Sequence, residues 1–558
     1  MPHPQDTWLL GQPSLPTAMP RATAATPLQA WQAAMPQGLA ALMQATAGMQ
    51  GSFALSLRDP ATGHAFLAVD RFATQTLCYR VANGQLQVAE RADALAGDQG
   101  ALQPQALFDY LFFHCIPSPD TVFQGVHRLP PGHCAWFQDG QLTVQPYWTP
   151  RFTEPAHADF SALKQEFLAL MQQAVQRHLG HGTAACFLSG GTDSSTVAGM
   201  LSRHAGAQAH SYSIGFEAEG YDEMAFARIA AKHFGTTHHE YYVTPDDLVR
   251  SIATVAAHYD QPFGNSSALP AYYCALKAKE DGVQYMLAGD GGDELFGGNS
   301  RYAKQRIFGW YQQVPGVLRK GLLQPLLQGT PLGGLPGLSK ARSYIEQATV
   351  PMPDRLQMYN LLLRLGVADV LLPDFLAQVD TGHPSALQQQ VWGLTPTDRE
   401  LNRTLAYDWR FTLGESDLPK VRGTTALAGV GVGFPMLDDA LLDFSLGLPA
   451  HYKLKGLKLR WFFKEALRGF LPDEILRKPK QGFGLPFGPW MLKHAGLHRL
   501  ASDSLNSLAT RGMVRPAFIQ QLLGTRLAEH PGYYGEMVWI LMMLEQWLQA
   551  HAPDWRAA

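Results

Sequence analysis

The chain has few cysteines, no long apolar run and no marked excess of charge of either sign. Its 558 residues include five cysteines, which are scattered and form no CxxC pair. This excludes a disulfide framework and a zinc knuckle, and it predicts a reducing compartment. No apolar run reaches the roughly 18 residues that a membrane span needs. Lysine and arginine number 44 against 47 acidic residues, so charge favours neither nucleic acid nor an anionic membrane as a partner.

The sequence also lacks the features of a secretory signal. Residues 1–6 read MPHPQD, without a basic stretch before an apolar core. We therefore expect a cytoplasmic protein. A chain of 558 residues is too long for a single hydrophobic core, so at least two domains are expected.

A change of pattern near residue 150 divides the sequence into two predicted domains, 1–150 and 151–558. Residues 51–148 contain short alternating runs and two hairpin turns, around Asn83-Gly84 and Asp139-Gly140, which predict a β-rich domain with a few helices. From residue 161 onward, strands are predicted at 184–188, 210–216, 239–243 and 283–288 with helices between them. This alternation is typical of an α/β fold with a mostly parallel sheet covered on both faces. Beyond Asn299 the chain reads as mainly helical.

The most informative segment is residues 186–195, which read CFLSGGTDSS. A short apolar strand ends at paired glycines and passes into a helix. Glycines let the backbone approach a phosphate, while N–H groups and the helix N-terminus point toward it. Asp193 adds a hard oxygen ligand suited to Mg²⁺. No GxxxxGK[ST] motif occurs, so the segment is not a P-loop.

A second glycine-rich loop follows the predicted strand 283–288. Residues 289–298 read GDGGDELFGG. Ligands bind outside the carboxyl ends of strands in parallel sheets, and both loops are predicted to lie there. Asp293 is therefore expected to face Asp193 as a second ligand of a cation that also contacts phosphate oxygens.

These motifs resemble those of a known family. Residues 189–195 resemble the PP-loop of N-type ATP pyrophosphatases, which cleave ATP between the α- and β-phosphates. Both loops recur in the asparagine synthetase superfamily, together with SIGF at 213–216, YDE at 221–223, DQP at 260–262 and KPKQGF at 478–483. The segments GSFA at 51–54, DRF at 70–72 and LPPGH at 129–133 resemble its glutaminase domain. The superfamily includes asparagine synthetases, β-lactam synthetases and lasso peptide cyclases.

The resemblance implies a fold and a set of site residues. It implies an Ntn-hydrolase-like β-sandwich, as a degenerate glutamine amidotransferase domain, followed by a PP-loop ATP pyrophosphatase domain of the adenine nucleotide α-hydrolase type with a helical C-terminal part. Lys480 matches the lysine that approaches the reacting α-phosphate and acyl centre. Asp193 and Asp293 would hold Mg²⁺ and pyrophosphate. The implied ATP-binding residues are Leu188, Ser189, Gly190, Gly191, Asp193, Ser194, Ser195, Ile214 and Gly289.

Asp290 and the first domain depart from the family pattern. Position 290 is commonly Glu in asparagine synthetases and Tyr in β-lactam synthetases, so Asp290 is expected to take a proton from the attacking amine or to orient it. Glutamine-using members begin with a catalytic cysteine whose α-amine is the base. Here residue 2 is Pro and the first cysteine is Cys78. We therefore expect that the chain does not hydrolyse glutamine.

A further departure concerns the acceptor side. The family usually has an acid and an arginine upstream of the segment PMLD at 435–438, whereas this chain has Gly431 and Gly433. Losing both charges predicts a wider or differently charged acceptor pocket. Residues 429–433, GVGVG, lack the spacing of a dinucleotide loop, so no cofactor role is assigned to them.

The sequence thus predicts an ATP-dependent, AMP-forming ligase that adenylates a carboxylate and transfers it to a nitrogen nucleophile, with ATP and Mg²⁺ as cofactors. The expected substrate is a small-molecule or peptide carboxylate. Ammonia, a partner amidotransferase or the substrate's own amine would supply nitrogen, and a homodimer is one option for assembly. The alternatives are a macrolactam- or β-lactam-type cyclase, an amidase of a non-aspartate carboxylate, and a nucleotide-binding scaffold without chemistry.

Overall fold

The structure is a computed structural model that describes residues 7–15, 26–97, 100–155, 157–180, 182–205, 208–315, 318, 338–479, 482 and 484–557. The predicted site residue Lys480 lies outside these described residues.

The first part of the chain contains two antiparallel sheets. Its strands are β1 (Trp8–Gly11), β2 (Phe53–Arg58), β3 (Ala65–Val69), β4 (Cys78–Ala82), β5 (Gln85–Ala89), β6 (His127–Arg128), β7 (His133–Gln138) and β8 (Gln141–Pro146). The strand orders are β1-β2-β3-β7-β8 and β5-β4-β6. Both predicted hairpins are confirmed as β4–β5 and β7–β8. The α-helices of this part are Pro27–Ala34, Leu39–Gly48, Ala92–Ala96 and Pro104–Phe113.

The larger of these sheets is buried on both faces. On one face Leu67 and Val69 pack with Tyr79 and Val88 of the smaller sheet. On the other face Phe53 and its neighbours pack against the helices Pro27–Ala34 and Leu39–Gly48. The result is a layer of helices on two face-to-face sheets, because strands β2 and β3 are apolar on both sides.

The second part contains a five-stranded parallel sheet. Its strands are β9 (Ala185–Phe187), β10 (His210–Phe216), β11 (Thr237–Val243), β12 (Tyr285–Leu287) and β13 (Gly431–Gly433), in the order β11-β10-β9-β12-β13. The four predicted strands are confirmed. Strand β13 was not predicted, because a Gly-Val-Gly segment is too short and too rich in glycine to give a strand pattern.

Helices cover both faces of this sheet. They include Phe160–Arg177, Thr192–Ala205, Met224–Phe234, Pro245–His258 and Ala268–Glu280. Because β9 lies in the centre with β10 and β12 as neighbours, the loops that follow β9 and β12 leave the sheet side by side. This topology positions the candidate site.

The rest of the chain is helical, as predicted. The remaining α-helices are Gly292–Phe296, Ser300–Gln313, Leu338–Thr349, Leu361–Leu365, Val367–Val370, Pro373–Leu376, His383–Gly393, Glu400–Asp408, Leu418–Ala428, Asp439–Gly447, Ala450–Lys453, Trp461–Ala466, Asp473–Arg477, Phe487–Lys493, Ala495–Ala509, Pro516–Gln521, Leu527–Glu529 and Pro531–His551. The 3₁₀ turns are Met35–Gln37, Asp354–Gln357 and Pro435–Leu437, and the π-helical segments are Trp409–Asp417 and Leu522–Arg526. A short hairpin joins β14 (Leu454–Lys455) to β15 (Lys458–Leu459). Among the described helices, none is sufficiently long and apolar to cross a bilayer.

The first part packs firmly on the second. The helix Pro104–Phe113 shares a hydrophobic core with Pro531–His551, and the Tyr110 hydroxyl donates a 2.8 Å hydrogen bond to the carbonyl oxygen of Ile540. Arg128 pairs with Asp260 at 2.7 Å. The segment from residue 104 to residue 128 therefore belongs structurally to both parts.

Candidate functional site

The two glycine-rich loops approach each other so closely that side chains would not fit between them. A Cβ on Gly289 would lie 2.8 Å from the Ser194 amide nitrogen, and a Cβ on Gly292 would lie 2.4 Å from Asp193 Oδ1. Both distances are below van der Waals contact. A side chain at position 289 would clash with backbone, and one at position 292 would displace the Asp193 carboxylate. The absence of side chains brings the backbone of the second loop against the start of the helix Thr192–Ala205.

Local hydrogen bonds fix the shape of the first loop. The Ser189 amide donates to Ser194 Oγ at 3.1 Å, and the two hydroxyl oxygens lie 3.0 Å apart. Gly190 has a φ of +67°, and a Cβ there would lie 2.5 Å from the Ala227 amide nitrogen. The loop is therefore held in place by its own serines and by close packing on the helix Met224–Phe234.

A cavity of about 1000 Å³ opens over these loops, and we call it the strand-end cavity. The predicted site residues that line it are Leu188, Ser189, Gly191, Asp193, Ser194, Ile214, Gly289, Asp290 and Asp293. Two predicted nucleotide-binding residues are not among its lining residues. Gly190 instead contacts a neighbouring helix, and Ser195 is completely buried.

Asp193 and Asp293 converge on one cation, the guanidinium group of Arg460. Arg460 Nη1 and Nη2 donate to the two carboxylate oxygens of Asp193, each at 2.6 Å. Nη2 also forms an ion pair with Asp293. The two aspartates were predicted to share a cation, and the structure brings them within reach of the same nitrogen atom.

The position of Arg460 depends on the backbone around it. Arg460 has a left-handed conformation, with φ of +53°, and its amide donates a 3.1 Å hydrogen bond to the carbonyl oxygen of Gly297. Burial disfavours its charged form, but Asp193 and Asp293 outweigh this effect and raise its pKa. Arg460 was not predicted from the sequence, because it does not lie in any recognised motif.

A second charged group lies beside the second loop. Lys420 Nζ lies 3.4 Å from Asp290 Oδ1 and 3.1 Å from Asp417 Oδ1. Burial raises the pKa of Asp290, and the neighbouring Lys420 opposes that shift. Burial also disfavours the charged form of Lys420, but the two carboxylates outweigh it and raise the pKa of Lys420. This arrangement can position or accept a proton near the cavity wall; neither Lys420 nor Asp417 was predicted.

Basic residues form much of the lining of the strand-end cavity. Besides Lys420, the cationic lining residues are Lys458, Arg460, Lys464, Arg468, Arg477 and Lys478. Lys478 pairs with Glu223 at 2.7 Å, and its Nζ lies 3.5 Å from the carbonyl oxygen of Gly190. The chain that precedes Lys480 is thereby attached to the first loop.

A second cavity, of about 820 Å³, lies between the two parts of the chain, and we call it the interdomain cavity. It is lined by Gly431 and Gly433, which were expected to widen the acceptor pocket. That expectation stays a prediction. A Cβ on Gly433 would lie 2.5 Å from both His178 Nδ1 and the Tyr285 hydroxyl, so a side chain at this position would require these two neighbours to move.

All five cysteines are buried. Burial raises the pKa of Cys78 and Cys134 to about 12. Burial also raises the pKa of Cys115, which borders the interdomain cavity. These thiols therefore stay protonated near neutral pH and are poor nucleophiles.

The fold and the site together define an α/β protein with a charged cavity at the carboxyl ends of its parallel strands. The asparagine synthase family model matches residues 166–549, and a glutamine amidotransferase domain model matches residues 36–148. The first match covers more than half of the chain, which therefore belongs to the asparagine synthase family.

Several curated proteins are similar over much of the chain. The glutamine-hydrolyzing asparagine synthetase 1 of Bacillus subtilis is 23% identical over 512 residues, which is 90% of this chain and 78% of the relative. A putative glutamine-hydrolyzing asparagine synthetase of Mycobacterium bovis is 26% identical over 459 residues, 79% of this chain and 68% of the relative. A third, from Methanocaldococcus jannaschii, is 32% identical over 214 residues, 38% of this chain and 41% of the relative.

Proposed function

We propose that the protein is an ATP-dependent ligase that forms an amide bond through an acyl-adenylate. A substrate carboxylate would attack the α-phosphate of ATP, which releases pyrophosphate. A nitrogen nucleophile would then attack the acyl carbon, and AMP would leave. Membership of the asparagine synthase family supports this reaction class, and the convergence of Asp193 and Asp293 on one cation is the single observation that carries the proposal.

The charges of the strand-end cavity suit a magnesium–triphosphate group. Asp193 and Asp293 are the residues that would hold Mg²⁺, which would neutralise phosphate charge when bound. A cation position between two carboxylates already exists, because Arg460 lies there. Arg460 and the neighbouring basic residues would bind phosphate oxygens, and Leu188 and Ile214 would contact the base.

Asp290 would assist the proton transfer from the attacking amine. The amine must lose a proton as it attacks, and a carboxylate beside Lys420 can orient it or accept that proton. Lys480 would stabilise the charge that develops at the α-phosphate and the acyl centre. The position of Lys478 supports this role, because its Nζ lies 3.5 Å from the carbonyl oxygen of Gly190 in the first loop.

We further propose that the chain does not itself hydrolyse glutamine, although its relatives are named as glutamine-hydrolyzing. The observation in favour is that every cysteine is buried. Nitrogen would come from ammonia, from a partner amidotransferase or from an amine of the substrate. The last option is cyclisation, and Asp290 in place of the usual Glu is the residue that favours it over plain aspartate amidation.

The decisive experiment is ATP–pyrophosphate exchange across a panel of carboxylates that includes aspartate, small β-amino acids and peptides with acidic side chains. Nucleotide products are then identified by chromatography. We expect exchange with at least one carboxylate and AMP as the product. Ammonia-dependent turnover of aspartate would identify an asparagine synthetase, whereas ammonia-independent release of AMP would identify a cyclase. No exchange with any substrate would overturn the proposal in favour of a nucleotide-binding scaffold, and ADP as the product would exclude an acyl-adenylate.

A further inference from the structure

A cluster of two carboxylates and an imidazole lies away from both cavities, where the helix Pro104–Phe113 meets the helical part of the chain. Asp109, Asp120 and His383 each offer one ligand atom, and these atoms lie within 4.8 Å of one another. Asp109 and Asp120 belong to the first part of the chain, while His383 begins the helix His383–Gly393. Neither the family's motifs nor the proposed reaction uses these residues.

The imidazole of His383 lies against a buried carboxylate. Its Nδ1 lies 2.9 Å from Asp109 Oδ2, and the Asp109 side chain is only 1% exposed. Gln105 donates to the other oxygen of Asp109 at 3.0 Å. His383 Nδ1 makes no hydrogen bond to the described residues, so the short contact places the carboxylate and the imidazole together as two candidate ligands of one ion.

The other distances in the cluster suit ligands around one ion better than hydrogen bonds. His383 Nε2 lies 3.8 Å from Asp120 Oδ2, and His127 Nδ1 lies 4.0 Å from Asp120 Oδ1. Both separations are too long for hydrogen bonds. Two ligands at about 2.1 Å from a tetrahedral metal ion lie about 3.4 Å apart, so the observed spacings need only small adjustments. His127 is stacked on Tyr79, with ring centroids 5.6 Å apart, which limits its motion.

We propose that Asp109, Asp120 and His383 form a binding site for one divalent transition-metal ion of the zinc type, with His127 placed to supply a further ligand. Mixed imidazole and carboxylate ligands suit such an ion, whereas Mg²⁺ and Ca²⁺ prefer oxygen ligands alone. The bound ion would connect the first part of the chain to the helix His383–Gly393. Since the site exists only in the folded chain, binding would stabilise the fold.

The test is zinc binding to the full, metal-stripped chain, measured by titration calorimetry with excess Mg²⁺ to occupy oxygen-only sites. We expect one equivalent of zinc and a higher unfolding temperature in its presence. His383→Gln, Asp120→Asn and Asp109→Asn should each weaken binding by at least about 10-fold, because each removes one of the proposed ligands. His451→Gln is the matched control, because His451 is exposed and its ring contacts that of Tyr452 edge-to-face.

Zinc-edge anomalous diffraction from wild-type crystals provides a second measurement that needs no variant to fold. A peak between His383 and Asp120 would support the site. The proposal fails if no peak lies there, or if the wild type binds zinc no better than His383→Gln and Asp120→Asn do. The cluster would then be an ion-pair network in which protonated His383 bridges two carboxylates.

Discussion

The strand-end cavity and the interdomain cavity are similar in size, but their charges are connected differently. In the strand-end cavity one cation, Arg460, is shared by the carboxylates of Asp193 and Asp293. In the interdomain cavity Arg128 pairs with Asp260 and Arg177 with Asp438, each with one carboxylate, while Arg71 lies near both Asp439 and Asp443.

This difference predicts that substitutions in the two cavities have different effects. Because Arg460 is shared by two carboxylates, neutralising one of them leaves this buried cation paired with the other. A one-to-one pair such as Arg128–Asp260 joins two parts of the chain, and separating it would leave two buried charges uncompensated. Substitutions in the first cavity should therefore act mainly on catalysis, and those in the second mainly on stability.

The largest expected effect is on catalysis. Asp193→Asn or Asp293→Asn should lower ATP–pyrophosphate exchange by about 1000-fold, since each removes a preorganised charge at the reacting phosphates. The unfolding temperature should change little in comparison. Exchange kinetics and thermal unfolding would be measured together, with the exposed Asp503→Asn as the matched control. A variant that keeps more than a tenth of wild-type exchange would contradict the assignment of its aspartate.

Arg128→Met tests the expectation that substitutions in the interdomain cavity act mainly on stability. It leaves the Asp260 carboxylate buried without its partner, so the free energy of unfolding should fall by about 3 kcal/mol. The KM for ATP of the folded protein should be unchanged. Urea unfolding and exchange kinetics measure the two quantities. An unaltered midpoint in urea would show that this ion pair does not hold the two parts together.

Lys453 provides a further test. Its side chain is fully buried near the second loop, and among the described residues its Nζ has no hydrogen-bond partner. Burial lowers the pKa of Lys453 from 10.5 to about 7. Between those values the unfolded chain holds a proton that the folded chain does not, so the stability of the fold should rise with pH in that window.

Lys453→Met should abolish this rise and stabilise the protein by about 1–2 kcal/mol at pH 6, because it removes an unsatisfied buried group. Unfolding in urea at pH 6 and at pH 9 gives the comparison, and Lys455→Met on the adjacent exposed position is the control. Equal pH dependence in Lys453→Met and the wild type would be evidence against a neutral buried lysine.

The smallest effect concerns the pH profile. Lys420 opposes the rise in the pKa of Asp290 that burial causes. If ionised Asp290 assists the amine, activity falls as pH drops through its pKa, and Lys420→Met should move the acidic limb of kcat/KM to higher pH. Lys420→Arg keeps the charge and should leave the limb near its original position. An identical limb in all three proteins would exclude Asp290 as the titrating group.

The features that the sequence predicted are local ones. Strand β10 has the predicted bounds, 210–216, because an apolar strand between helices has a clear periodicity. The loops that carry Asp193 and Asp293 were predicted to meet, since strand ends in a parallel sheet share one edge.

The features that were missed depend on distant partners. Arg460 contacts Asp193 across 267 positions of sequence, and nothing near Arg460 marks it as a site residue. The surroundings of Gly433 also come from distant parts of the sequence, since a Cβ there would meet His178 and Tyr285.

The helix Leu418–Ala428 contributes Lys420 to the strand-end cavity and Arg422 to the interdomain cavity. This helix therefore separates the two cavities, and the barrier is one helix thick. A ligand in one cavity that shifts the helix would also change the shape of the other cavity.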